Sequence, residues 1–198
     1  MKYKENVEQV AELKPDYMGF IFYAHSKRNV SNELQLLDLP AEIEKVGVFV
    51  NADADFIIDK ISTHNLNCIQ LHGNEPPFFC RQMKRITSII KAFGVDEHFD
   101  FNTLKDYEDC CDYFLFDTKT PEHGGSGRQF NWDLLDNYSA ALPFFISGGL
   151  DLEAAGKTKE LAKKYPRLYA IDVNSKFEKS PGLKDVDQLR QLMHLIRN

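Results

Sequence analysis

Polar residues that directly follow apolar runs are the best candidates for chemistry in this 198-residue sequence. Asp117 ends the run Phe114-Leu115-Phe116. His72 follows Ile69-Gln70-Leu71 and could line the same opening at the ends of the predicted strands. Asp117 could instead cap the next turn. A glycine-dense loop that includes Gly125 follows it, however, and such a loop is costly in chain entropy unless its backbone must approach a ligand.

Two further segments could hold an anionic group. Gly148-Gly149 follows an apolar run and leads into a predicted helix, where backbone N–H groups and the helix N-terminus favour phosphate. Asp172, Asn174 and Ser175 place small polar residues at the end of the last run. A plain turn explains one glycine well and two less well, so we predict that these segments form the two halves of a phosphate pocket.

Sequence motifs for nucleotides and metals are incomplete. Gly156-Lys157-Thr158 lacks the first glycine of a P-loop and falls in a helical stretch, and the third glycine position after Gly125-Ser126-Gly127 is Phe130. The six histidines have no metal-ligand spacing, so His64 and His194 are predicted to be surface residues on helices. We therefore expect neither a nucleotide cofactor nor a metal.

Buried β-strands must position these residues. Seven short runs rich in β-branched and aromatic residues predict them: Met18 to Phe22, Val46 to Val50, Cys68 to Leu71, Ile89 to Phe93, Tyr113 to Phe116, Pro143 to Ile146, and Leu168 to Val173. Their centres lie 21 to 31 residues apart, enough for a strand and a crossover helix. This spacing predicts parallel βα units.

Helical periodicity is strongest in two segments, which start after Asp53 and Asp185: Ala54, Ile57, Ile58 and Ile61 share one face, as do Leu189, Leu192, Met193 and Ile196. Shorter stripes predict helices at Phe79 with Met83, at Leu134 with Leu135 and Tyr138, and at Leu161 with Ala162 and Tyr165. The stretch from Asp96 to Asp109 is weaker still.

We expect residues 1–198 to form one domain, because no linker or low-complexity tract interrupts the alternation. The architecture is then an open doubly wound sheet or a (β/α)8 barrel of the TIM type, and the regular spacing favours the barrel. The chain opens with a helix, on which Val7, Val10, Ala11 and Lys14 share a face. Either the sheet is open, or the first strand of the barrel is encoded upstream of Met1.

Composition excludes several classes of partner. The net charge is -6, so the broad attraction that drives nucleic-acid or anionic-membrane binding is missing. No apolar window has the length of a signal peptide or a membrane span. The four cysteines, of which Cys110 and Cys111 are adjacent, form no CxxC pair and indicate a reducing compartment. We expect a cytoplasmic protein that is a monomer or a homodimer.

The sequence resembles the phosphoribosylanthranilate isomerase family from end to end. Its motifs follow the family's order and spacing: Met18-Gly19-Phe20-Ile21-Phe22-Tyr23, Ser26-Lys27-Arg28, Val46-Gly47-Val48-Phe49-Val50-Asn51, Gln70-Leu71-His72-Gly73, Gly124-Gly125-Ser126-Gly127 and Ser147-Gly148-Gly149-Leu150. The resemblance implies a (β/α)8 barrel of the tryptophan biosynthesis pathway. Its reaction is the Amadori rearrangement of N-(5-phosphoribosyl)anthranilate to the 1-deoxyribulose 5-phosphate product, without cofactor or metal.

The resemblance also implies residue roles. Asp117 matches the general acid that protonates the furanose ring oxygen, and Arg28 matches the arginine that contacts the anthranilate carboxylate. The loops around the substrate and its phosphate match Gly125, Gly148, Gly149, Asn174 and Ser175. Lys176 stands where the family usually has glycine, which changes the expected phosphate contacts.

The family's general base is a cysteine in a first strand of Lys-Ile-Cys-Gly-Met type, and this chain begins at what matches that methionine. We therefore expect an aldose-ketose type isomerase that turns over poorly or not at all as given. The alternatives are a non-catalytic phosphosugar-binding barrel and another phosphosugar isomerase or epimerase on the same barrel. An arginine positioned for an aromatic carboxylate argues against the last.

Overall fold

The central element is a curled, all-parallel sheet of seven strands. The computed structural model describes residues 1–30, 34, 36, 39–119 and 130–197. The strands follow one another in chain order: β1 (Tyr17–Ile21), β2 (Glu44–Phe49), β3 (Cys68–Leu71), β4 (Ser88–Val95), β5 (Tyr113–Thr118), β6 (Phe144–Ile146) and β7 (Leu168–Ile171). Each of the seven predicted runs contains one of these strands or most of it, and the predicted parallel arrangement is confirmed.

The sheet curls until its two outer strands approach each other. Tyr17 on β1 and Tyr169 on β7 are hydrogen bonded through their hydroxyl groups at 3.3 Å. The Tyr17 ring also packs edge-on against Phe145 of β6, with 5.4 Å between the ring centroids. This closure distinguishes the fold from an open doubly wound sheet and confirms the expectation of a barrel-type architecture with seven strands.

In the described ranges, five α-helices connect and cover the strands: α1 (Lys4–Ala11), α2 (Ala54–His64), α3 (Pro77–Lys84), α4 (Leu152–Lys164) and α5 (Val186–Arg197). Asp185 caps α5, since its Oδ1 accepts from the Gln188 N–H at 3.2 Å. Asp53 precedes α2 as predicted, but its side chain makes no capping hydrogen bond. Among the described residues, no helix is both long and apolar enough to cross a membrane.

Two predicted helical segments are 3-10 helices instead. They span Phe101–Tyr107, within the weak stretch after β4, and Trp132–Asn137, where the stripe around Leu134 was expected to be α-helical. Asp100 and Asn131 each accept a hydrogen bond from the backbone N–H two residues further on, at 2.9 and 3.0 Å. Such side-chain turns compete with α-helical hydrogen bonding and favour short, tight segments.

A two-stranded antiparallel hairpin near the C-terminus was not predicted. It pairs β8 (Glu178–Ser180) with β9 (Leu183–Lys184), and Gly182 in its turn has a φ of +86°. Asn6 of α1 holds the hairpin, because its side chain donates to the Lys184 carbonyl at 3.0 Å and accepts from the Lys184 N–H at 2.7 Å. The hairpin therefore carries residues from late in the chain to the side of the first helix.

The prediction for His64 is wrong. It lies at the end of α2, but its residue surface is only 2% exposed and its ring packs 5.1 Å from that of Phe22. Burial lowers the pKa of His64. His194 on α5 is exposed, as expected.

Candidate active site

Alternate residues of the strands face the inside of the curled sheet, where an apolar layer lies below a polar one. The apolar layer consists of Val46, Cys68, Ile90, Ala92, Leu115 and Phe145, with Tyr17, Tyr113 and Ala170 packed against it. Side chains two positions apart on a strand face the same way. Gln70, Asp117 and Asp172 each lie two residues beyond a member of this layer. Their side chains therefore face the inside of the sheet as well, at its C-terminal edge.

Asp117 and His72 form a direct side-chain contact at this edge. The Asp117 Oδ2 lies 3.4 Å from the His72 Nε2, and its Oδ1 accepts from the Thr118 N–H at 2.8 Å. Asp117 is buried, with 8% of its surface exposed. Strands β3 and β5, which flank β4, thus bring a carboxyl group and an imidazole into direct contact.

Gln70 links His72 to the second carboxyl group of this edge. The Gln70 Oε1 lies 2.8 Å from the His72 Nδ1, and the Gln70 side chain also opposes the burial that raises the pKa of Asp172. An amide oxygen only accepts, so the His72 Nδ1 carries a proton.

Asp172 is the second carboxyl group of this edge. Burial raises the pKa of Asp172, Lys184 opposes that effect, and the negative charge of Asp117 adds to it. The Gln70 hydrogen bond also favours the charged form. Asp172 is therefore joined to Asp117 through the Gln70 amide and the His72 ring, and protonation at one carboxyl group affects the other.

Arg28 lies in an ion pair at the neighbouring position of the same edge. Its Nε donates to the Glu178 Oε2 at 2.8 Å, and its second guanidinium nitrogen lies 2.8 Å from the same oxygen. The Glu178 Oε1 accepts from the Gly182 N–H at 3.1 Å and lies 3.4 Å from the Lys184 Nζ. Burial alone would raise the pKa of Glu178, but Arg28 and Lys184 outweigh it, and the pKa is lowered.

Lys184 joins this ion pair to the segment after β7. Its Nζ donates to the Asn174 Oδ1 at 2.7 Å and to the Asn174 carbonyl at 3.1 Å. Burial lowers the pKa of Lys184, while Glu178 and Asp172 oppose the effect. Ser175 begins a short 3-10 helix, Ser175–Phe177, that leads into the hairpin. The polar residues predicted after the last strand are thus attached to the Arg28 side of the edge.

The turn after β6 packs directly against the loop that follows Asp117. Gly148 has a φ of +93°, and a Cβ there would lie 2.3 Å from the Thr118 Oγ1 and 2.8 Å from the Asp117 Oδ1. Gly149 also has a positive φ, +62°. Because a side chain would be strained and would collide, Gly148 is required here for conformation and for space.

Helix α4 begins three residues after Gly149. The Asp151 Oδ1 accepts from the Ala154 N–H at 2.9 Å. One of the N–H groups that have no partner within the helix is thus bound by a carboxylate. Gly125 and its loop lie outside the described residues. The other residues predicted for the site lie at this one edge of the sheet.

Gln70, Glu178 and Lys184 belong to this network but were not recognised in the sequence. Gln70 carried a usable signal, because an amide between Ile69 and Leu71 inside a buried strand needs hydrogen-bond partners. Glu178 and Lys184 depend on the hairpin, which has no clear periodic pattern. No local feature of the sequence places them next to Arg28.

The thiol groups lie elsewhere. Cys68 begins β3, Cys80 is on α3, and Cys110 and Cys111 precede β5 at the end opposite Asp117. Cys111 lies six positions before Asp117 along the chain, which is about 20 Å in extended backbone at about 3.3 Å per residue. In the described part of the chain, His, Cys, Asp and Glu side chains at this edge form no cluster of metal-binding dimensions.

The fold and this edge together define a βα-barrel with an acid–base pair and an arginine at the C-terminal ends of its strands, as in barrels that act on small phosphorylated molecules. A family model described as N-(5'phosphoribosyl)anthranilate (PRA) isomerase matches residues 1–194. The chain belongs to this family.

Individual relatives agree with this assignment. The N-(5'-phosphoribosyl)anthranilate isomerase of Parabacteroides distasonis is 43% identical over 201 residues, covering 99% of this chain and 90% of the relative. The crystal structure of the Thermotoga maritima phosphoribosyl anthranilate isomerase has a TM-score of 0.86 at 35% identity, covering 100% of this chain and 95% of that one. A phosphoribosyl anthranilate isomerase in complex with reduced 1-(o-carboxyphenylamino)-1-deoxyribulose 5-phosphate has a TM-score of 0.82 at 31% identity, with coverages of 100% and 95%.

Proposed function

We propose that this chain acts on N-(5-phosphoribosyl)anthranilate and converts it to 1-(2-carboxyphenylamino)-1-deoxyribulose 5-phosphate. The observation that carries the proposal is the Asp117–His72 contact at 3.4 Å on the same edge as the Arg28–Glu178 ion pair. This arrangement provides a proton donor and a cation for a substrate that has a ring oxygen to protonate and a carboxylate to bind. The rearrangement is redox neutral, so proton transfers suffice for it.

Asp117 is the proposed general acid. It would protonate the furanose ring oxygen, which opens the ring to a Schiff base. The Gln70 contact at 2.8 Å keeps a proton on the His72 Nδ1, and the His72 Nε2 can pass a proton to Asp117 after each transfer. His72 therefore holds and replenishes the proton that Asp117 donates.

Arg28 is the proposed binding group for the anthranilate carboxylate, and Glu178 is its positioning residue. Glu178 is held by Arg28, Gly182 and Lys184, so the guanidinium is oriented before substrate arrives. A guanidinium has five donors, of which the Glu178 contacts use two, and the remaining ones can bind a second carboxylate. Preorganisation of this kind lowers the entropic cost of binding.

The phosphate is proposed to bind at the turn after β6 and the segment after β7. Gly148, Gly149, Asn174 and Ser175 supply backbone and side-chain donors there, Asp172 lies beside them, and the loop that contains Gly125 is proposed to contribute from the β5 side. Lys184 adds a positive charge through its contacts with Asn174. The Lys176 side chain stands where a glycine was expected.

Turnover depends on a general base that removes a proton from the substrate. None of the four cysteines lies at the edge that carries Asp117. We expect the chain as given to bind the product analogue but to turn over slowly, since losing a general base typically lowers the rate by about 10²- to 10⁴-fold. The second candidate function is a non-catalytic phosphosugar-binding barrel.

Calorimetry with reduced 1-(o-carboxyphenylamino)-1-deoxyribulose 5-phosphate tests the proposed binding. The folded chain is expected to bind it, and Arg28→Ala should weaken binding about 10- to 100-fold, because a charged hydrogen bond contributes about 1.5–3 kcal/mol. Arg190→Ala is the matched control, since this exposed arginine pairs with Asp187 on α5. Absence of binding by the folded chain, or equal losses in both variants, would contradict the proposal.

A turnover assay separates the two candidate functions. An N-terminal strand with a Cys-Gly pair is fused ahead of Met1, and consumption of N-(5-phosphoribosyl)anthranilate is measured for the chain with and without it. An isomerase should gain turnover from the added thiol. A binding protein should bind the analogue equally well in both forms and convert substrate in neither.

The remaining proposals concern the setting of the protein. We propose one domain, a small phosphorylated molecule as partner and no nucleic acid, in keeping with the net charge of -6. A monomer or homodimer is proposed, and the T. maritima phosphoribosylanthranilate isomerase is described as dimeric. The four free thiols fit the cytoplasm.

A further inference from the structure

Three thiol groups meet in the interior, away from the candidate active site. Cys80 comes from the middle of α3, and Cys110 and Cys111 come from the turn before β5. All three residues have 0% of their surface exposed, and their sulfur atoms lie within 4.8 Å of one another. The fold brings them together from sequence positions about thirty residues apart, which the absence of a CxxC pair did not reveal.

The spacing of the sulfur atoms suits a shared metal ion. With metal–sulfur bonds of about 2.3 Å, three sulfurs in a plane around one ion lie about 4 Å apart. The observed upper limit of 4.8 Å is within 1 Å of that value. A disulfide would require two of them to approach to about 2.05 Å, about half the separation that a shared ion requires.

The donor set selects the class of ion. Three sulfur ligands favour soft metals such as Cu(I), whereas a structural zinc site takes four ligands. Within the described residues, no further His, Cys, Asp or Glu atom belongs to this cluster. Three thiolates without a fourth ligand match a three-coordinate, monovalent soft ion better than zinc.

Two cationic side chains of α3 lie near such a site, and each is paired with a carboxylate, Lys84 with Asp112 at 3.3 Å and Arg81 with Asp109 at 2.7 Å. The Lys84 ammonium lies 2.6 Å from the Cys111 carbonyl oxygen. Arg81 lies on the same helix as Cys80 and pairs with Asp109, the residue before Cys110. The Cys110 thiol donates a weak hydrogen bond to the Tyr107 carbonyl at 3.4 Å. When a metal binds and the thiol proton is released to the solvent, only this weak bond is lost.

We propose that Cys80, Cys110 and Cys111 form a buried three-thiolate site for a soft, thiophilic ion of the Cu(I) class. Binding forms three sulfur–metal bonds and releases the displaced thiol protons, with no change in oxidation state. The ion would link α3 to the start of β5. The inference is independent of the isomerase function, since these sulfurs lie at the opposite end of β5 from Asp117.

Copper retention tests the proposal. The full chain is loaded anaerobically with Cu(I) delivered as its bicinchoninate complex, and copper per chain is measured after gel filtration. We expect one copper per chain. Cys80→Ser and Cys111→Ser should each weaken copper retention at least about 10- to 100-fold. Loss of a residue that only hydrogen bonds to a metal ligand already weakens affinity by that much.

Cys68→Ser is the matched control, because Cys68 is also buried but lies in the interior of the sheet, outside the cluster. Full retention in this variant supports the assignment to the three clustered sulfurs. Equal retention in Cys80→Ser, or none in the folded parent chain, would overturn it. Formation of a disulfide in oxidised glutathione by a chain that retains no copper would identify a redox pair instead.

A second measurement covers the case in which the serine variants do not fold. Cd(II) is added to the parent chain, and the 113Cd chemical shift reports the number of sulfur ligands. A shift typical of three sulfurs supports the site. A shift typical of oxygen and nitrogen ligands would refute it.

Discussion

The two ends of the curled sheet are built from the same inward-facing positions but carry different chemistry. At the lower end, Tyr17, Tyr113 and Tyr169 surround Phe145 with ring centroids 5.1 to 6.3 Å apart, and their environment is aromatic. At the upper end, the polar chain from Asp117 through His72 and Gln70 to Asp172 occupies the interior.

This contrast shows how one sheet serves two purposes. The lower layer closes the sheet through packed aromatic rings, of which Phe145 is buried while Tyr169 remains 53% exposed. The upper layer keeps buried polar groups, which is costly unless each one has a partner. The hydrogen bonds from Gln70 and Thr118 provide those partners, so stability is expected to depend on the lower end and chemistry on the upper.

The largest effect is expected at Asp117. In the chain carrying the added N-terminal Cys-Gly strand, Asp117→Asn should lower kcat by about 10²- to 10⁴-fold, because the amide cannot donate the carboxyl proton. Binding of the reduced product analogue and the unfolding midpoint should change little. Asp187→Asn on the exposed face of α5 is the control, and an unchanged kcat in Asp117→Asn would disprove the acid role.

The opposite pattern is expected at the lower end. Phe145→Ala should reduce the free energy of unfolding by about 3–5 kcal/mol, through lost burial and the cavity left between three tyrosine rings. Urea denaturation measures this change, and calorimetry on the folded variant should give the same affinity for the product analogue. A weakened affinity without a loss of stability would show that the two ends are not separate.

The smallest effect is a change in pH dependence. Burial raises the pKa of Asp172 above its unfolded value, so the stability contributed by the protonated carboxyl is present below the unfolded pKa. That contribution is lost as pH rises through the folded pKa. Asp172→Asn should therefore flatten the decrease in unfolding free energy from acidic to neutral pH, measured by urea titrations at several pH values.

Asp187→Asn serves again as the control for this titration, because Asp187 is exposed. It should leave the slope as it is in the parent chain. A slope that is equally steep in Asp172→Asn would mean that another group causes the pH dependence.

Much of the fold was predictable because strand burial leaves a strong local signal. Runs such as Val46 to Val50 combine β-branched residues with mostly buried positions, and their spacing set the parallel order. The 3-10 helix at Trp132–Asn137 was missed because a short apolar stripe is compatible with either helix type. His64 was misjudged because its burial against Phe22 depends on a tertiary contact.

The candidate site was predictable where its residues end strands. Asp117 and His72 follow buried runs, so parallel topology alone brings them to one edge. Glu178 reaches Arg28 over a separation of 150 residues, through a short hairpin without clear periodicity. The three-thiol cluster likewise depends on how α3 packs near β5, and spacing along the chain gives no indication of it.

The close packing of Gly148 against Thr118 and Asp117 also constrains how this protein can change. Any methyl group placed there would collide with the Thr118 side chain and with the carboxylate of the proposed acid, Asp117. Substitutions at this turn and near Asp117 are therefore expected to be coupled during evolution. A relative that binds phosphate differently at this turn would also need a compensating change around its proton donor.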